Sequence, residues 1–129
     1  SGFERTLTLM RRHIPTGVTV LGDPIWWWGF AQDRYYVGGW YLASKAHLGG
    51  TVFDIRAELI SLGADYVILD DSTACTLSPS LLDQELHSLV SKECKLETVI
   101  EGAWHGYGSY ESNFQFGQVS RIYACGGRL

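Results

Sequence analysis

A single carboxylate and an acidic pair sit where a chain of this kind could do chemistry. Asp23 follows Val18-Thr19-Val20-Leu21-Gly22 and precedes Pro24, while Asp70 and Asp71 follow Tyr66-Val67-Ile68-Leu69. A carboxylate at a strand-to-helix turn can hold a sugar hydroxyl or act as a general base, and an Asp before Pro can equally serve as a helix N-cap. Asp70 and Asp71 offer the oxygen ligands a divalent ion takes. An isolated acidic pair is explained as readily by capping and solvation, so no metal is expected. His105, in Trp104-His105-Gly106-Tyr107, has the intrinsic pKa of an acid–base group near neutrality, but the sequence identifies no partner for it. Cys75 follows the same apolar run as Asp70 and could be a nucleophile; a small buried thiol is the plainer reading. Neither a GxSxG elbow nor an HExxH pair is present, and the turn around Gly22 lacks the GxGxxG spacing that admits a pyrophosphate. No cofactor is expected, and the chain itself is expected not to be catalytic.

Aromatic side chains are the stronger compositional signal. Trp26, Trp27, Trp28 and Trp40 crowd one region, and Trp104, Tyr107 and Tyr110 another. Flat apolar rings with a polar rim suit the C–H faces of sugars, a membrane–water boundary, or an ordinary core. All three readings stay open here. Asp23-Pro24 is a cap-plus-proline signal, which places the tryptophan triplet on a helix after a strand. Three consecutive helical positions fan through about 200° of arc. At least one indole is therefore expected in the core while another faces outward. On these grounds Asp23, Trp26, Trp27, Trp28, Trp40, Asp70, Asp71, Trp104, His105 and Tyr107 form the candidate ligand-binding set.

Elements must position those residues, and the composition allows them to. The chain has 129 residues, 46% of them apolar and 19% charged, which is globular and long enough for a core in one domain. Its net charge of −4, without a basic block, argues against a nucleic-acid partner. No apolar run approaches the ~18 residues of a membrane span. No secretory leader is visible, and that excludes no upstream segment. The three cysteines, Cys75, Cys94 and Cys125, have no metal-ligand spacing. Three buried thiols are expected, with one bridge plus a free thiol as the alternative.

Phe3, Leu7, Met10 and Ile14 recur at helical steps and predict a helix over 4–13, stopped by Pro15. A short β-branched run at 18–21 reads as a central parallel strand, broken by Gly22. A second strand is predicted over 33–39, and a short helix around 43–47. Thr51 and Asp54 resemble a capping box, with Val52, Ile55, Leu59 and Leu62 as the apolar stripe and Gly63 as the stop. A third buried strand follows at 66–69. Ser78-Pro79 opens a helix carrying Leu82, Leu86, Leu89 and Val90, and two strands close the chain at 96–100 and 119–125. They flank a glycine- and aromatic-rich loop at 101–117, and without a crossover helix in it they are antiparallel neighbours. Alternating helices and strands of this kind predict an α/β fold: a three-layer sandwich on a mostly parallel sheet of about five strands, in one domain over 1–129.

The passages His13-Ile14-Pro15-Thr16-Gly17 into Val18-Thr19-Val20-Leu21-Gly22-Asp23, Tyr35-Tyr36-Val37-Gly38-Gly39, and Leu62-Gly63-Ala64-Asp65-Tyr66-Val67-Ile68-Leu69-Asp70 carry a resemblance. Together they resemble the soluble C-terminal domain of polytopic glycosyltransferases that use polyprenyl-phosphate sugars, the dolichyl-phosphate-mannose-protein mannosyltransferase-like group. The match covers residues 4–71, and its motifs also encode a general helix stop followed by a buried strand. The resemblance implies a non-catalytic accessory domain on the extracytoplasmic face, partnered by the transmembrane portion of the same polypeptide and touching glycan or lipid headgroups. In that family the catalytic acids lie in the loop after the first membrane helix, which this chain does not contain, so no catalytic residue carries over. Two other readings remain: a free-standing cytoplasmic hydrolase or transferase using Asp23, Asp70 or His105, and a carbohydrate-binding module.

Overall fold

The computed structural model describes residues 2–23, 26, 29–30, 32–37, 41, 45, 47, 54–70, 81–101 and 119–126. Its elements, in chain order, are α1 (Gly2–His13), β1 (Thr19–Gly22), β2 (Arg34–Val37), α2 (Ile55–Leu62), β3 (Tyr66–Asp70), α3 (Leu81–Glu93), β4 (Lys95–Glu101) and β5 (Val119–Ala124). The five strands form one sheet in the order β2-β1-β3-β5-β4. β1 pairs parallel with both β2 and β3, whereas β5 runs antiparallel to β3 and to β4. This is the expected α/β architecture, with the last two strands as antiparallel neighbours.

Alternation along the strands produces the layers, because successive side chains leave opposite faces of a sheet. Val20, Ile68 and Ile122 point to one face, where they pack with Met10 and Ile14 of α1 and with Trp26 and Phe30. Leu21, Val67, Leu69 and Tyr123 point to the other, against Ile55 and Leu59 of α2 and Leu86 and Val90 of α3. Both faces of the central strands are thus apolar, which is why their sequence reads as unbroken hydrophobic runs. On the surface, Arg56 of α2 reaches Glu93 of α3 at 2.8 Å.

Local signals fix the boundaries, with some corrections. Gly22 does not break β1; it is the last residue of that strand and lies opposite Val37. Beyond it the chain enters a tighter 3-10 turn at Trp26, whose backbone N–H bonds to the Asp23 carbonyl at 3.3 Å, an i to i+3 contact. Phe30 and Gly29 share that conformation. Lys45 and His47 are helical, as is Tyr41, while Ala43, Ser44 and Ala46 lie outside the described residues. The N-cap of α2 is Asp54, whose Oδ1 accepts from the backbone N–H groups of Arg56 and Ala57 at 3.0 and 3.2 Å. Thr51 and Val52, the other parts of the expected capping box and stripe, lie outside the described residues, as do Ser78 and Pro79. Gly63 ends α2 at φ 71°, the left-handed region that favours glycine.

The expectation of three buried thiols is overturned. Cys94 and Cys125 form a disulfide with their Cα atoms 4.6 Å apart. The register explains it: Lys95 lies opposite Ala124, so the residue before β4 and the residue after β5 meet at one end of the sheet. Cys75 lies outside the described residues.

Candidate functional site

In open α/β sheets the crevice for ligands opens where strand order reverses, beyond the carboxyl ends of the strands. Here the strand that follows β1 in sequence lies on one side of it and β3 on the other, so the reversal falls between β1 and β3. Asp23 leaves β1 at that point, and Asp70 ends β3 there. The two carboxylates singled out from sequence are therefore brought to the same end of the sheet.

Around Asp70 lie two buried, directed hydrogen bonds. Asp70 has the parity of Ile68 and faces the α1 layer, with Ser120 opposite it on β5. The Trp26 indole Nε1–H donates to Asp70 Oδ2 at 2.6 Å, and the Ser120 hydroxyl donates to Oδ1. Trp26 and Ser120 have no exposed surface, and Asp70 retains 8%. Trp26 thus belongs to the core, and its N–H finds the partner that burial demands. As a surface for sugar or lipid it is not available.

Tyr35 completes the cluster from β2. Its hydroxyl donates to the Asp23 carbonyl at 2.6 Å, and its ring stacks on Phe30 at 5.5 Å between centroids. To reach Asp23 the phenol passes over Gly22, where an added Cβ would lie 2.4 Å from the Tyr35 hydroxyl oxygen and 3.3 Å from Ile68 Cβ. Glycine is required there by this close approach. Burial, reinforced by the negative charges of Asp23 and Asp70, pushes the Tyr35 phenol far above its ordinary range, so it stays a proton donor.

The opposite end of the sheet is tied by carboxylates too. Asp33 accepts from Arg11 and from the Gly17 backbone N–H, and Asp65 Oδ2 accepts from the Thr19 N–H at 2.9 Å. Arg11 also stands 4.7 Å from the centroid of the Phe30 ring. These groups hold α1 and β3 against the start of β1. A groove of about 580 Å³ between α2 and α3, lined by Ile55, Arg56, Gln84, Glu85, Leu89 and Lys92, lies on the other face of the sheet from Asp70. Among the described residues no three histidine, cysteine or acidic side chains gather as a metal site.

Of the candidate set, then, Asp23, Trp26 and Asp70 converge. Trp27, Trp28, Trp40, Asp71, Trp104, His105 and Tyr107 lie outside the described residues. Sequence reasoning missed Tyr35 and Ser120. A serine two residues before Ile122 in the strand Val119-Ser120-Arg121-Ile122-Tyr123 was the available signal, since a hydroxyl on a buried face needs a partner. Comparison with protein-family models, with curated proteins and with solved structures finds nothing that matches this chain.

Proposed function

We propose that this chain is a non-catalytic accessory domain of a membrane glycosyltransferase that uses polyprenyl-phosphate sugars, held on the extracytoplasmic face beside the membrane portion of the same polypeptide. The observation that carries this reading is the Cys94–Cys125 disulfide, because such bridges form and persist in oxidising compartments and are rare in the cytosol. A second support is the use made of Asp70 and Trp26: their mutual hydrogen bond joins the strand end to the α1 layer. No helix among the described residues is long and apolar enough to cross a membrane. The membrane spans in this reading belong to another part of the polypeptide. Trp27, Trp28, Trp40, Trp104 and Tyr107 are its candidates for contact with acceptor, glycan or headgroup.

The test uses the full gene product in its own cells. After an alkaline carbonate wash, the polypeptide is expected to stay with the membranes. Under denaturing conditions, Cys94 and Cys125 are expected to react with maleimide only after reduction. A polypeptide released by the wash, with both thiols reactive before reduction, overturns the proposal.

A second reading, a small hydrolase or transferase, is favoured by the convergence of Asp23 and Asp70 at the strand-order reversal. It predicts turnover of simple activated glycosides or esters by the purified chain, lost in Asp23→Asn. Absence of turnover across such a panel removes its support.

A further inference from the structure

We draw no further inference here: the strongest candidate, the outer edge of β4 where Leu96 and Val99 stand 46% and 44% exposed, carries nothing, because the register shift between Leu96 and Thr98 interrupts that edge and nothing in the structure shows what covers it.

Discussion

Reducing the Cys94–Cys125 bridge removes a constraint on the unfolded chain, and the size of the effect follows from the loop it closes. The cysteines are 31 residues apart. Loop-closure entropy for such a span is about 12 cal/mol/K, or roughly 3.7 kcal/mol at 25 °C. Against the ~5–15 kcal/mol that separates folded from unfolded domains, this is between about a quarter and three quarters of the total. Urea unfolding followed by tryptophan fluorescence is the natural assay, because Trp26 is fully buried and reports the loss of the α1 layer. With a slope of ~1–3 kcal/mol per molar urea, the midpoint is expected to fall by roughly 1–4 M on reduction. The slope itself is expected to rise, since an uncrosslinked chain exposes more surface when it unfolds. A Cys75→Ser background prevents disulfide exchange, and thiol counting confirms the state of the bridge. An unchanged midpoint after verified reduction refutes the reasoning. Two reactive thiols in the untreated protein refute the bridge itself.

Further outcomes follow from the buried cluster and the helix cap. Trp26→Phe removes the donor to Asp70 Oδ2 and leaves a gap beside a buried carboxylate; thermal or chemical unfolding is expected to show a loss of about 3 kcal/mol, and a loss under ~0.5 kcal/mol contradicts the assigned hydrogen bond. Tyr35 is expected to keep its proton while ordinary tyrosines ionise near pH ~10. Because the unfolded chain releases that proton and the folded one retains it, stability contributed by Tyr35 is intact below about pH 10 and declines as pH rises above it. Ultraviolet titration of the seven tyrosines checks this: ionisation of all seven with the fold intact sinks it, and Tyr35→Phe removes the held-back component. Asp54→Ala deletes both cap bonds of α2 and is expected to cost about 1 kcal/mol, measured by urea midpoint; no loss means the cap contributes nothing in solution.

The frame was legible because burial writes itself into the strands. Val20-Leu21 and Val67-Ile68-Leu69 are apolar at every position since each face of the sheet is covered, one by α1 and the other by α2 and α3. Gly63 and Asp54 announced the ends of α2 by backbone chemistry that acts within a few residues. The disulfide was not legible. Its formation depends on the register between β4 and β5, a long-range property that spacing along the chain does not encode. Gly22 misled for a related reason: read locally it is a breaker, but in the sheet it makes room for a tyrosine hydroxyl from the neighbouring strand. The site was half legible. Residue type and position drew attention to Asp23, Trp26 and Asp70, yet the partners that define their roles, Tyr35 and Ser120, arrive from strands 12 and 50 residues away.

Those partners bear on whether Asp70 can serve as a catalytic base. Each of its oxygens accepts a hydrogen bond from a fully buried donor, Trp26 on one side and Ser120 on the other. Hydrogen bonds to a charged group contribute about 1.5–3 kcal/mol each, and every carboxylate oxygen has two lone pairs, so taking up a proton displaces at most one of these bonds, at roughly 1.5–3 kcal/mol. General base catalysis supplies about 10²–10⁴ in rate, which at ~1.4 kcal/mol per decade is roughly 3–5 kcal/mol. The hydrogen bonds therefore offset only part of that gain. The same two bonds tie the end of β3 to β5 and to the turn that carries Trp26. Asp70 therefore acts as a strut at this end of the sheet, whether or not it also takes up a proton.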